Sequence, residues 1–412
     1  MTFLERYLSK QRLYSDLIQS SPEQNLILSV VIPVHNEPDI LPTLNALANC
    51  DPTQNGVEVI LVINASEVAS DEIKQQNQFT KDVIDGFVSM YCGQLKFHCI
   101  LNNELPKKHA GVGLARKMGM DEAVARFAKI NQEKGIIVCF DADCTCAPNY
   151  LKDIEKAFIK HSPTAMSIRF EHPLNGEEYS AQIYDYITDY ELHLRVYKNA
   201  ITYAGLPYGY HTVGSSMAVN VLDYCKQGGM NKRKAGEDFY FLQKFIQLGP
   251  IYELNTTCVY PSPRVSDRVP FGTGRAIGER VASKEIQFLT YSMHSFYDLK
   301  KLTNCVAGFY ESFDKIAQLP ETIVSFIGME NILAKLKEIK RESASEATFV
   351  KRFYAWFDAF QLLKYVHYTR DHHYPNESIN QVAKELLTLL AVANIPNNNH
   401  DLLLAFRKVD NN

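Results

Sequence analysis

Ile136-Ile137-Val138-Cys139-Phe140-Asp141-Ala142-Asp143 is the stretch from which the fold can be read. An unbroken apolar run, mostly β-branched or aromatic, specifies a strand covered on both faces, as in a parallel sheet flanked by helices. The strand then delivers two carboxylates one residue apart. In an open α/β sheet, ligands bind at the carboxyl ends of the strands. With Ala142 between them, Asp141 and Asp143 can turn toward one cation where the chain bends. Oxygen-only ligands suit Mg²⁺ or Mn²⁺, ions that commonly also hold substrate phosphates. Taken alone, a short Asp-x-Asp favours a solvated acidic turn, so its meaning depends on its surroundings.

Those surroundings alternate. Leu28–Pro33 reads as a buried strand closed by proline, and 39–48 as a helix. Val57–Ile63 is a second buried strand, 70–90 a helix, Leu95–Leu101 a third strand and 111–129 a helix. Strand–helix alternation over this length predicts βαβ units and a mostly parallel sheet, an α/β fold. A short amphipathic helix precedes it within 1–25. Beyond Pro148 the spacing predicts a helix over 149–161, a strand over Ala165–Phe170, a Tyr-rich helix over 177–200, a short strand before Val221 and a helix over Phe239–Leu248. Pro261–Arg275 reads as a loop, and 276–408 as almost entirely helical. The series Phe349, Phe353, Trp356, Phe357, Phe360, Leu363 has helical spacing and is expected in a core rather than a groove.

Composition narrows the function. With 412 residues, 46% apolar and 22% charged, the chain is an ordinary globular protein. A net charge of −4 argues against a general nucleic-acid or anionic-membrane binder. No apolar run is long enough for a transmembrane segment. The N-terminus lacks the basic region and apolar core of a secretory signal. Nine scattered cysteines do not suggest a disulfide framework, and a reduced, cytoplasmic protein is the simplest account. Cys144-x-Cys146 has no second ligand pair at zinc spacing.

Four further features line up with the acidic pair. Ser29-Val-Val-Ile-Pro33-Val34-His-Asn-Glu37 runs a strand into a polar turn, placing backbone groups and Glu37 at the ligand edge. Val59-Ile-Leu-Val-Ile-Asn64 ends on a carboxamide that offers a donor and an acceptor, as a nucleobase edge requires. Gly111-Val-Gly113-Leu-Ala-Arg116 opens a helix, whose amides and arginine favour a phosphate, with Lys107 and Lys108 adding positive potential. Gly236-Glu237-Asp238 begins another helix with two carboxylates, where a base can face a cleft. Each has a plainer reading, the glycines as a tight turn and the acids as complements to the helix dipole. Their order along the strand ends favours the functional one.

In that order the motifs resemble family 2 glycosyltransferases, inverting nucleotide-sugar enzymes of GT-A fold, over about Leu28–Leu248. The resemblance implies a GT-A type sheet flanked by helices over 1–275, with a nucleotide-binding half at about 26–148 and an acceptor half at 149–275. The α-helical region 276–412 matches nothing assignable. It also implies that Pro33, Val34, Glu37, Asn64 and Arg116 surround the nucleotide, that Asp141 and Asp143 hold Mn²⁺ or Mg²⁺ against its diphosphate, and that Asp238, with Glu237 beside it, is the catalytic base. The second strand departs from the family's Asp-Asp-Gly-Ser ending by reading Ile63-Asn64-Ala65-Ser66, which leaves the nucleobase open between UDP- and GDP-sugars. The Gln-x-x-Arg-Trp motif of processive synthases is absent, favouring transfer of one or a few sugars to a carbohydrate or lipid-linked acceptor. His211, Gly214 and Ser215 are acceptor-site candidates, with a structural turn as the alternative, and Arg264, Arg268 and Arg275 either reach the diphosphate or an anionic acceptor or belong to a solvated loop. Peripheral membrane contact and a homodimer stay open. Two competitors remain. A sugar-phosphate nucleotidyltransferase would carry a Gly-rich Arg/Lys loop after the first strand, which Pro33-Val-His-Asn-Glu lacks. A non-catalytic nucleotide-sugar-binding protein would not need Asp141, Asp143 and Asp238 together.

Overall fold

A computed structural model describes residues 1–411 except Asp16, Ala235, 267–271 and 284–286. The chain divides into two compact units, Met1–Tyr184 with Thr212–Ala282, and Asp185–His211 with Ser283–Asn412.

The first unit is built on an eight-stranded sheet of order β3-β2-β1-β4-β7-β6-β8-β5, formed by β1 (Leu26–Val34), β2 (Gly56–Ser66), β3 (Lys96–Leu105), β4 (Ile136–Cys139), β5 (Cys144–Cys146), β6 (Ala165–Phe170), β7 (Met217–Asn220) and β8 (Tyr252–Pro261). β3, β2, β1 and β4 run parallel; β7 then enters antiparallel to both β4 and β6. The parallel half has the continuous apolar sequence expected of it: Val30, Val31, Ile32, Val59 to Ile63 and Ile136 to Phe140 are all buried.

Its helices are α1 (Phe3–Gln11), α2 (Leu41–Ala48), α3 (Asp71–Met90), α4 (Val112–Lys129), α5 (Tyr150–His161), the start of α6 (Ala181–Tyr203), α7 (Val221–Lys226), α8 (Glu237–Gln243) and nearly all of α9 (Thr273–Ser283). α1 starts with a capping box, Thr2 Oγ1 accepting from the Glu5 amide while Glu5 reaches back to the Thr2 amide. α4 is buried from Gly113 through Phe127, charged residues included. A Cβ at Gly119 would come within 2.5 Å of Val31 Cγ1, so the glycine lets α4 lie hard against β1 and β2. Burying α4 on every side demands internal partners. Arg126 is paired through Nε and Nη2 with Glu58 of β2, and Asp121 accepts from the hydroxyls of Tyr7 and Tyr224 at 2.7 and 2.8 Å.

The second unit packs the rest of α6 with α10 (Met293–Val306), α11 (Glu321–Ile327), α12 (Met329–Arg341), α13 (Glu346–Trp356), α14 (Ala359–His372), α15 (Ile379–Leu389) and α16 (Asn399–Asp410). The helical expectation from 276 onward is met, apart from a short antiparallel pair, β9 (Leu289–Thr290) with β10 (Glu377–Ser378). The aromatic series is not one helix. Phe349, Phe353 and Phe357 are buried, but the chain breaks there and Asp358 caps α14 by accepting from the Gln361 amide at 2.8 Å. The expected loop from Pro261 is shorter than predicted, because β8 includes Pro261 and α9 starts at Thr273.

Candidate active site

β1, β2 and β4 run parallel, so their carboxyl ends meet at one edge of the sheet. Pro33 and Val34 end β1, and the turn after them puts Asn36 in the left-handed region (φ 47°) and Glu37 in full burial. The polar ends of the strands are stitched together. Asn64 Nδ2 donates to the Val34 carbonyl at 2.8 Å, and His35 Nδ1 lies 2.7 Å from the Asn64 carbonyl oxygen. Asn77 of α3, wholly buried, accepts from the Asn36 amide and donates to Asn64 O and Asn103 Oδ1. The Asn64 amide nitrogen thus serves the strand ends. Asn77 carries no sequence signal, being a polar residue within a polar helix.

After β4 the chain turns through Asp141-Ala142-Asp143 into β5. Thr43 of α2 fixes that turn: its buried hydroxyl lies 2.8 Å from the Ala142 carbonyl and 3.0 Å from that of Cys144. Asp141 and Asp143 keep 33% and 26% of their side-chain surface exposed, so both carboxylates can be reached from solvent.

Two arginines meet these acids. Arg116, near the start of α4 and almost fully buried, pairs through Nη2 with Asp141 and through Nη1 with Glu237. Burial works against its charge, but Asp141 and Glu237 outweigh it and hold the guanidinium above its ordinary range. The same burial pushes the Glu237 carboxyl up to about 7, against the pull of Arg116. Asp238, half-buried, is raised by desolvation too, and its Oδ1 accepts from the Phe239 amide at 2.7 Å. α8 thus begins with one carboxylate locked to Arg116 and the next beside it.

Arg264, just after β8, grips Glu37 with both Nη atoms (Nη1 to Oε1, 2.8 Å) and reaches Asp143 Oδ2 from Nε at 3.1 Å. The sequence marks Arg264 as a cation near the site; its partners lie more than a hundred residues upstream and are not legible there. Arg268 lies outside the described residues. Arg275 pairs with Glu279 at 2.6 Å on its own helix.

Gly214 belongs with Arg116: a Cβ there would stand 2.5 Å from Nη1 and 2.6 Å from Nη2. Ser215 is buried next to it, its hydroxyl 3.4 Å from that of Ser216. His211 belongs to the second unit, where its Nε2 lies 3.3 Å from Asp410 Oδ2.

Among the described residues, no group of three or more His, Cys, Asp or Glu side chains converges to hold an ion. Two solvent-reachable carboxylates with oxygen donors nonetheless fit a hard divalent cation that completes its shell with phosphate oxygens and water. Asp141 and Asp143 are the residues that would hold it.

Residues 29–220 match the model of "Glycosyl transferase family 2". No curated protein matches significantly. Solved structures similar to the chain include S. aureus TarS 1-349 in complex with UDP-GlcNAc, at 16% identity and TM-score 0.42 over 80% of this chain and 92% of that one. GalNAc-T7 with UDP, GalNAc and Mn²⁺ gives 14% and 0.38 over 86% and 59%. The mannosyltransferase PcManGT from Pyrobaculum calidifontis with GDP-Man and Mn²⁺ gives 13% and 0.38 over 99% and 92%.

Proposed function

From the match of residues 29–220 to the glycosyl transferase family 2 model, we propose that the chain is a glycosyltransferase of this kind, moving a sugar from a nucleoside-diphosphate sugar to an acceptor hydroxyl with inversion, assisted by Mn²⁺ or Mg²⁺. The observation that carries the reading is the convergence on Arg116, which ties Asp141 at the end of β4 to Glu237 at the start of α8. It supports reading the end of β4 and the start of α8 as parts of one site.

Asp141 and Asp143 would hold the cation, which when bound would supply positive charge to the leaving diphosphate. Pro33, Val34, Glu37 and Asn64 shape the nucleoside end. Glu37 acts through Arg264, and Asn64 through the backbone it braces. Arg116 orients the site, since its two carboxylate partners and its burial leave it no freedom to follow a substrate. Asp238 takes the proton from the acceptor hydroxyl as that oxygen attacks the anomeric carbon and the bond to the diphosphate breaks. Its raised affinity for protons suits a base. Glu237 keeps Arg116 in place.

The test is Asp238→Asn. A placed base contributes about 10²–10⁴ in rate, so kcat should fall by that order while nucleoside diphosphate still binds by calorimetry. Activity near wild type overturns the base assignment. UDP- or GDP-sugar preference would follow from the same calorimetry with each diphosphate and Mn²⁺.

A further inference from the structure

The second arginine of the site has a function of its own, which rests on the reading that Asp141 and Asp143 hold a divalent cation. We propose that Arg264 is a built-in stand-in for that cation, pairing with Asp143 until metal and donor bind as a coupled pair.

The geometry supports this in three ways. First, Arg264 uses separate edges for its two partners. Nη1 and Nη2 face Glu37, while Nε and Nη2 reach Asp143 Oδ2 at 3.1 and 3.0 Å. A guanidinium is a fixed fork whose edges engage different carboxylates or phosphates independently. Second, Glu37 is fully buried and serves as the anchor, so Arg264 can exchange its Asp143 partner while staying seated. Third, the two arginines are not equivalent. Arg116 has 2% of its side chain exposed and Arg264 has 20%, so of the two guanidinium groups Arg264's is the more open to an incoming ligand. The opposing partners dominate its charge: burial disfavours it, but Glu37 and Asp143 hold it above the ordinary arginine range.

A divalent ion arriving alone meets an Asp143 already paired with a cation and must displace it. An ion arriving with a nucleoside diphosphate brings phosphate oxygens that can take the Nε edge of Arg264 as Asp143 is released. Arg264 then passes from the enzyme's own carboxylate to the donor's phosphate. Linkage makes the effect reciprocal: the diphosphate tightens the metal by the factor by which the metal tightens the diphosphate.

The experiment measures Mn²⁺ binding directly, from the paramagnetic resonance of free Mn²⁺, with no sugar transfer involved. Wild type, Arg264→Gln and Glu37→Gln are compared alone and with UDP, GDP or dTDP. Wild type should bind Mn²⁺ weakly alone and roughly tenfold or more tightly with its preferred diphosphate. Arg264→Gln should bind Mn²⁺ alone roughly tenfold more tightly than wild type, with a smaller gain from the diphosphate. Glu37→Gln leaves Asp143 as the carboxylate partner of Arg264 among the described residues, and should weaken Mn²⁺ binding. Unchanged or weaker Mn²⁺ affinity in a folded Arg264→Gln, or shifts of the same sign in both variants, overturns the stand-in. Should Arg264→Gln not fold, Glu37→Gln decides alone, and unchanged or tighter Mn²⁺ binding overturns it. A wild-type chain that takes up no Mn²⁺ with any of the three diphosphates overturns the acidic-pair assignment itself, and the stand-in with it.

Discussion

Gly214 shows how one residue without a side chain can govern a charged site. The Arg116 guanidinium lies where a methyl group on residue 214 would be, and Arg116 cannot retreat because Asp141 and Glu237 hold it from two directions. Gly214→Ala should therefore shift the guanidinium and unseat both carboxylates. A displacement of this size in a positioned site costs about 10²-fold, read as a fall in kcat/KM for donor hydrolysis with the far-UV spectrum unchanged. The sequence displays the chemistry at this scale well, since Asp141, Asp143, Glu237, Asp238 and Arg116 stand in recognisable motifs. It does not display who neutralises whom. The partners of Arg264 lie 227 and 121 residues away, and no local pattern encodes such a pairing. The support from Thr43 and Asn77 is hidden for the same reason.

Among the elements, α4 is the most constrained. Its surroundings bury it from Gly113 to Phe127, so an alternating polar and apolar face is weak in it although it is a long helix. Gly119→Ala would press a methyl group against Val31 and, at about 2.5 Å, demand that β1 or the helix give way. Overpacking of this kind costs about 1–3 kcal/mol, measurable by urea denaturation. Val31→Ala in the same chain should recover much of the loss, since the two sites are in contact and their effects cannot add. Strong apolar runs made β1, β2, β4 and β6 legible in the sequence. β5 and β8 were not. Cys144–Cys146 is three residues long, and Tyr252–Pro261 mixes Glu, Asn, Thr and Pro without alternation. These two strands pair with each other, so their order is imposed by partners rather than by their own composition. The break between α13 and α14 is hidden in the sequence because the aromatic spacing runs straight through it, while the stop is carried by a single capping aspartate.

Taken as a whole, the molecule has a second unit closed by a charged knot. Asp410 near the C-terminus accepts from Arg195 at 2.5 Å, Lys198 at 3.1 Å and Asn199 at 2.8 Å, with His211 beside it. Glu191, fully buried, receives Arg195 and Arg407 at 2.8 Å each. Burial alone would raise the Asp410 carboxyl, but His211, Arg195 and Lys198 bring it well below its ordinary 3.8. A depressed carboxylate stabilises the fold above its unfolded range and loses that contribution only as pH falls toward its folded value. Asp410→Asn should remove about 3–5 kcal/mol, because it takes the Asp410 carboxylate away from the buried cations Arg195 and Lys198. The loss should be full at pH 7 and shrink on acidification below 3.8 in a series of denaturant melts. No helix among the described residues is long and apolar enough to cross a membrane. The knot also has a temporal side. Asp410 follows Arg195 by 215 residues, and at 5–20 residues per second a ribosome needs roughly 10–45 s to bridge them. Throughout that interval the nascent α6 carries arginine and lysine awaiting the last turn of α16. A gene shortened before α16 would release a chain whose Arg195 and Lys198 never meet Asp410, and chaperone dependence or inclusion bodies would be the cellular sign of it.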